Sequence, residues 1–321
     1  MADRFPVLAG LLEARRPVAV QTHDYPDIDA VASAWGLASL LRRRGFSAAC
    51  RYRGELRSRS LRSLIYELDI DLAPVSEGEP ELQVIVVDGS PANGNVSLAA
   101  GELVAVIDHH CESGTVSAPF LDLRPELASC STMIRGYWEE AGWRPPRGIA
   151  TALLAGIQSD TDFLSRSCSD ADFAAYASLY REGDWELASR VVRTALDLQE
   201  LGLIVAALGK AEVRDGLLFA FIRGPCGQEA LAVLAEFALR AEELSAAVVA
   251  QEDEGSIHIS VRSKSESVSA FGLVRAALGG IGSGGGHAHS AGGVVPMGSE
   301  PGEDALRERF FKAAADSIGR K

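Results

Sequence analysis

Along the first half of the chain the hydrophobic pattern switches period repeatedly. Short apolar runs at 17–22, 48–53, 84–88 and 103–108 alternate with stretches at 29–44, 56–68, 129–141 and 147–156, where apolar residues return every three or four positions. The first kind predicts strands and the second amphipathic helices, so the alternation predicts βαβ units around a mostly parallel sheet. Further helices are expected near 170–181 and 185–198. Leu201, Ile204, Val205 and Leu208 have the spacing of one helical face and predict a helical connector. Beyond it come a strand at 217–222, a helix at 229–240, a hairpin-like pair at 246–251 and 257–262, and helices near 269–278 and 303–318. The expected fold is α/β with two domains: a parallel-sheet domain at 1–195, a connector at 196–212, and a smaller α/β domain at 213–321. The active site is expected in the cleft between the two domains. There is no internal repeat, and the one low-complexity segment is Gly279 to Gly286.

Composition narrows the class. The chain has 321 residues, 47% hydrophobic and 23% charged, which is long for one core and comfortable for two. No apolar stretch approaches the ~20 residues a membrane span needs. The N-terminal Met1-Ala2-Asp3-Arg4-Phe5-Pro6 has no basic segment followed by an apolar core. Cys50, Cys111, Cys130, Cys168 and Cys226 are odd in number and form no CxxC pair, so a reduced cytoplasmic protein is expected. A net charge of -13 argues against a processive duplex binder, because long nucleic acids are gripped through phosphates by Lys and Arg. It leaves room for a small anion held by local cations. One block runs against the trend: Arg42 to Arg62 holds eight arginines against one glutamate, Glu55. A solvated helix face is the plain account of it, and phosphate steering the alternative.

The chemistry gathers at strand ends. Leu103 to Ile107 closes on Asp108-His109-His110, Val84 to Val87 on Asp88, and Val18 to Thr22 on His23. In open α/β sheets ligands collect at such ends, which brings three distant segments to one crevice. Asp27 and Asp29 follow His23 just before the helical run Ala30 to Leu41. Helix capping explains one of those aspartates, but not both together with His23. If Asp27, Asp29, Asp88 and Asp160 converge, two carboxylates ~4 Å apart repel by about 4 kcal/mol at an effective dielectric near 20. Two divalent cations would remove that conflict. Oxygen donors with one or two imidazoles suit Mn²⁺ or Mg²⁺ better than structural zinc. Adjacent residues at a strand end point to opposite sides. His109 and His110 are therefore expected in separate roles, one as a ligand and one toward the substrate, with Asp108 orienting an imidazole.

In this order the motifs resemble those of the DHH phosphoesterase superfamily over nearly the whole chain. His23, Asp27, Asp29 and Ala30 match an HxxxDxDA segment, Asp88 a second motif, and Asp108-His109-His110 the name-giving third. Gly156-Ile157-Gln158-Ser159-Asp160-Thr161 resembles the fourth, and Gly284-Gly285-Gly286-His287 the GGGH loop of the DHHA1 module. The resemblance implies His23, Asp27 and Asp88 on one metal, and Asp29, Asp88, His109 and Asp160 on a second. Asp88 would bridge the two, and His110 would contact the scissile phosphate. It implies in-line attack by a metal-bridging water or hydroxide, with manganese foremost and magnesium or cobalt as alternatives. Implied partners are a short single-stranded oligonucleotide or a small nucleotide, no membrane, and room for a homodimer.

Glycines let backbone N–H groups approach an anion, and a following helix start would add a favourable dipole. A flexible surface turn is the plain alternative. The resemblance supports His287 and Arg262, with Ser263 beside it, as groups that hold the substrate. The sequence departs from the family pattern at HAHSAGG, which makes His289 and Gly292 local variations. Ser131-Thr132 resembles a family position, though helix N-capping explains it equally. Cys111 beside His110 is either oxidation-sensitive or an inert small residue. Trp35, Trp138, Trp143 and Trp185 read as packing residues. Within the family the two-domain length and the DHHA1 loop point to the short-oligoribonucleotide nuclease and 3′-phosphoadenosine 5′-phosphate phosphatase branch, with dinucleotides as neighbouring substrates. The alternatives are an inorganic pyrophosphatase or exopolyphosphatase, and a non-catalytic nucleotide sensor.

Overall fold

The computed structural model describes residues 3–76, 82–110, 114–166, 168–194, 196–253, 255–265, 267–286, 288–296, 298 and 302–318. The chain divides into two compact units, Met1–Thr194 and Ala195–Lys321. Elements of the first are α1 (Arg4–Leu11), β1 (Val18–Asp24), α2 (Ile28–Arg43), β2 (Ala48–Arg53), α3 (Arg59–Leu68), β3 (Leu72–Pro74), β4 (Leu82–Val87), β5 (Gly101–Asp108) and β6 (Phe120–Leu123). They continue with α4 (Cys130–Glu140), α5 (Arg147–Thr161), α6 (Asp170–Glu182) and α7 (Trp185–Arg193).

The first sheet has the order β3-β2-β1-β4-β5-β6, with every pairing parallel. The chain runs outward from β1 to β3, then returns to the other side of β1 as β4. That reversal opens a crevice between the carboxyl ends of β1 and β4. The central strands are apolar on both faces because both are covered. Val18, Val20, Ile85, Val87, Ala105 and Ile107 pack with α2, α4 and α5. Ala19, Val84, Val86 and Val106 face the other way, against Val96, Ala99, Val116 and Ala118. Trp138 lies fully buried in this core and donates to the Gly36 carbonyl at 3.2 Å.

The second unit contains α8 (Leu198–Leu208), β7 (Glu212–Arg214), β8 (Leu217–Ile222), α9 (Gln228–Ala238), β9 (Ala246–Asp253), β10 (Ser256–Ser263), α10 (Ala270–Leu278), β11 (Ser283–Gly286), β12 (Ser290–Val295) and α11 (Gly302–Ile318). Its sheet has the order β11-β12-β10-β9-β8-β7, antiparallel except for β8 beside β9. The segment expected as a connector is helical over α8, and Ile204 and Ala207 are buried there with Leu218 and Leu231. No helix among the described residues is long and apolar enough to cross a membrane.

Two sequence expectations change here. The glycine segment forms edge strand β11 rather than a loop, and a strand, not a helix, follows it. A Cβ on Gly284 would run into Val274 and the Gly292 carbonyl, so glycine is what lets β11 lie against β12 and α10. The cap of α4 is Ser129, whose Oγ accepts from the Thr132 N–H at 3.2 Å, rather than Ser131.

Candidate active site

The cluster sits where three neighbouring parallel strands end. His23 lies on β1, Asp88 directly follows β4, and His109 and His110 directly follow β5. The first turn of α2 adds Asp29, with Asp27 as its N-cap, and the last turn of α5 adds Asp160. The fourth motif is therefore helical, α5 running five residues past the end expected from the sequence. Asp88 occupies the left-handed region at φ 61°, which costs a non-glycine residue about 1–2 kcal/mol and is tolerated best by Asn and Asp. Its N–H donates to the Ile107 carbonyl at 2.9 Å, holding the turn.

Asp88 is the hub. His109 Nε2 lies 3.3 Å from its Oδ1, His23 Nε2 lies 3.8 Å from its Oδ2, and His110 Nδ1 lies 3.8 Å from its Oδ1. Asp27 Oδ1 is 3.9 Å from His23 Nε2, and Asp160 Oδ2 is 3.5 Å from His109 Nε2. Four donor sets among the described residues lie close enough to share an ion: His23 with Asp27 and Asp88, Asp29 with His109 and Asp160, Asp88 with His109 and His110, and Asp29 with Asp88 and Cys130. Both ring histidines thus face Asp88, contrary to the expected divergence. β5 ends at Asp108, so strand alternation no longer governs the two residues beyond it; their rings lie 4.2 Å apart. Asp108 Oδ1 accepts from the His110 backbone N–H at 3.1 Å and contacts its Nδ1 at 2.8 Å.

Groups around the cluster aim these donors. His109 Nδ1 contacts the Leu127 carbonyl at 3.3 Å, and His23 Nδ1 contacts the Asp24 carbonyl at 2.9 Å. Asp29 is fully buried and accepts from the N–H groups of Cys130 at 2.7 Å and Ser131 at 2.9 Å, so the start of α4 fixes it. Asp27 both caps α2, accepting from the Ala30 N–H at 3.0 Å, and belongs to the His23 set. These backbone ties carry no sequence signature. Gly156 makes the approach possible: a Cβ there would meet Asp29 Oδ1 at 2.6 Å and press into the Ser131 hydroxyl. Only its place in the fourth motif marked it in the sequence.

Charge is heavily crowded. Burial, then the charge of Asp88, pushes Asp29 up to about 7. Burial, then Asp29, Asp27 and Asp88, raises Asp160 well above the carboxylate range. Burial also acts to raise Asp88, yet its contacts with His109, His110 and His23 outweigh that and hold it low. Burial acts to lower all three imidazoles, but the facing carboxylates raise each of them, His109 the most. Asp88 Oδ1 and His109 Nε2 are both buried without a hydrogen-bond partner. An unsatisfied buried polar atom costs about 1–3 kcal/mol. Donors 3.3–3.9 Å apart are too far for good hydrogen bonds but suit sharing of one ion, whose ligands lie about 3 Å apart at octahedral bond lengths of ~2.1 Å. The donor set fits hard divalent cations. Cys130 would bring to the Asp29 and Asp88 set a soft sulfur donor, which suits such hard cations less well than oxygen.

In the second unit the remaining expected residues occupy β10 and β11. Arg262 Nε pairs with Glu236 Oε1 at 2.9 Å, and its Nη1 donates to the Ser260 hydroxyl at 3.2 Å. Ser263 donates its hydroxyl to the Val268 carbonyl at 2.6 Å, and His289 Nδ1 contacts the Ser263 carbonyl at 3.1 Å. Gly284, Gly285 and Gly286 are exposed on β11. His287 and Cys111 lie outside the described residues.

Known proteins resemble this chain in sequence and fold. A protein of Methanocaldococcus jannaschii described as uncharacterized is 29% identical over 95% of this chain and 61% of its own length. A probable manganese-dependent inorganic pyrophosphatase of Streptococcus mutans is 29% identical over 60% of each chain. The chain thus spans less than two thirds of either relative. The crystal structure of an exopolyphosphatase-related protein from Bacteroides fragilis superposes with a TM-score of 0.72 at 17% identity, over 98% of this chain and 96% of that one, which shows a shared fold. Residues 17–157 match the N-terminal domain of the DHH family and residues 215–318 match the DHHA1 domain, and the chain belongs to that family.

Proposed function

We propose that the chain is a metal-dependent phosphoesterase acting on short oligonucleotides, dinucleotides or a nucleoside 3′,5′-bisphosphate. One observation carries the reading: Asp88 Oδ1 and His109 Nε2 lie buried and unsatisfied, and between them the two residues belong to all four donor sets. His23, Asp27 and Asp88 would hold one divalent ion, and Asp29, Asp88, His109 and Asp160 a second. When bound, such ions lower the pKa of water and neutralise phosphoryl oxygens. The manganese dependence named for the Streptococcus mutans relative supports Mn²⁺. His110, oriented by Asp108 through Nδ1, would use its other ring nitrogen to serve the scissile phosphate. In the second unit, Arg262 and the backbone of Gly284, Gly285 and Gly286 would hold the remainder of the substrate, Arg262 exchanging Glu236 for a phosphate.

Inorganic pyrophosphatase activity is the second reading, favoured by that same relative's name. The DHHA1 match over 215–318 weighs toward nucleotides. Phosphate release with Mn²⁺ from adenosine 3′,5′-bisphosphate, a dinucleotide and pyrophosphate separates the two. Turnover of the bisphosphate or dinucleotide at least tenfold above pyrophosphate is expected; pyrophosphate as the sole substrate would overturn the nucleotide assignment.

A further inference from the structure

The block of eight arginines divides in space. Arg42 donates Nε to the Ala48 carbonyl and pairs with Asp71, and Arg43 stacks on Trp143, all next to the carboxyl end of α2. Arg53 and Arg57 instead lie at the carboxyl edge of the sheet. Arg53 is the register partner of Asp24, the residue after His23, and its carbonyl accepts from the Tyr25 N–H at 2.9 Å.

Tyr25 is the odd residue of that edge. It stands in the chain between His23 and Asp27, whose side chains approach to 3.9 Å, so it forms part of the rim of the cluster. Its φ is +55°, a conformation that bulky side chains rarely adopt, and its ring is half exposed. Strain of this kind persists where the surroundings enforce it, commonly beside functional sites. The ring lies against Gly54, where a Cβ would come within 2.7 Å of it, so no other residue leaves it room. The Arg57 guanidinium stacks over the same ring at 4.3 Å.

Arg57 is also held from below. The loop carrying it is pinned by Arg62, whose Nη1 donates to the carbonyls of Leu56 at 2.6 Å and Arg57 at 2.9 Å. Ser58 then caps α3 through the Leu61 N–H at 2.9 Å. Within the side chain only Nε is engaged, weakly, with Glu55 at 3.4 Å, and neither Nη has a hydrogen-bond partner among the described residues. A guanidinium laid flat on an aromatic ring keeps its in-plane N–H edge for acceptors, and a pair of Nη donors fits two phosphate oxygens.

We propose that the Tyr25–Arg57 stack is a subsite for a second, non-scissile phosphate of the substrate. It rests on the phosphoesterase reading and narrows it to substrates that carry two phosphate groups, such as nucleoside bisphosphates and 5′-phosphorylated dinucleotides. The glycine, the strained tyrosine and the pinned loop together preorganise one cation at the rim of a strongly acidic cluster, in a chain of net charge -13. Lysine would not replace Arg57, because a compact ammonium neither stacks flat nor presents paired donors.

The test compares kcat/KM for adenosine 3′,5′-bisphosphate with that for bis(p-nitrophenyl) phosphate, which has no second phosphate group. Arg57→Ala and Tyr25→Asn, the latter suited to a left-handed backbone, should each lower this ratio about tenfold through KM. Arg57→Lys should recover little of it, and Tyr25→Phe should recover nearly all. Arg43→Ala, on the remote half of the arginine block, should keep the wild-type ratio. Equal changes for both esters in Arg57→Ala, or none, would overturn the subsite. If the wild-type chain turns over neither ester, the activity reading fails, and calorimetry decides the subsite alone. Arg57→Ala must then weaken binding of adenosine 3′,5′-bisphosphate about tenfold more than binding of adenosine; equal affinities would sink it.

Discussion

Gly156 shows how far a single atom reaches in this protein. In an exposed helix interior, replacing glycine by alanine stabilises by roughly 1 kcal/mol, because alanine is the better helix former. At position 156 the added methyl would lie 2.6 Å from Asp29 Oδ1 and closer still to the Ser131 hydroxyl. Neither neighbour can yield cheaply, since Asp29 is fixed by the Cys130 and Ser131 N–H groups and both side chains are fully buried. Overpacking of a tight core costs about 1–3 kcal/mol, which exceeds the helical gain. Gly156→Ala is therefore expected to lower stability and to weaken Mn²⁺ binding about tenfold or more, the scale seen when a group that orients a metal ligand is disturbed. Manganese titration by calorimetry checks this, and unchanged affinity would show that Asp29 does not need its present position.

Helix α4 links that residue to its element. Its first N–H groups, orphaned by helix geometry, are satisfied by Asp29 from α2 rather than by solvent. Ser129 caps the same end, its Oγ accepting from Thr132, while Thr132 donates its own hydroxyl to Asp172 at 2.6 Å. Ser129→Ala should cost about 1 kcal/mol in urea unfolding. Because the cap sets the pose of Cys130 and Ser131, it should also reduce Mn²⁺ affinity; a purely structural cap would show only the first effect. Elements of this kind were legible in the sequence when they were long and periodic: α2, α4 and α5, and the central strands β1, β2, β4 and β5. The short α1, β3 and β6 were not: the eight residues of α1 make little more than two helical turns, the three and four of β3 and β6 give too short a strand pattern, and β6 hides Asp122 in a buried position. The glycine-rich strand β11 carries no hydrophobic pattern at all; only its partner β12 makes it a strand. The acids and histidines of the cluster were readable because strand ends converge. Which backbone group holds Asp29, and how the arginine block splits between two faces, depends on packing that no local pattern records.

For the molecule as a whole, the crowded cluster sets a pH dependence that metal should reverse. In the metal-free chain Asp29 is raised from 3.8 to about 7, so between those values the folded state keeps a proton the unfolded state has lost. Stability then falls as pH rises through that window. The raised imidazoles of His109, His110 and His23 act in the same direction: their contribution is full below 6.5 and is lost as pH climbs through their higher folded values. Asp88 opposes them, but its lowered value confines its effect to pH below about 4. Each tenfold change in proton affinity is worth about 1.4 kcal/mol, so the Tm of the first unit should drop by about 5 °C or more from pH 5 to pH 8. Divalent cations bind the deprotonated donors, so their affinity rises over the same range. With Mn²⁺ in excess, stabilisation by ligand binding therefore grows with pH, and the two melting curves should separate steadily from pH 5 to pH 8. Calorimetric scans with manganese and with a chelator measure this directly. Parallel curves would mean that the carboxylates are not competing for protons and cations at one site, and the shared-ion interpretation of Asp88 would fall with them.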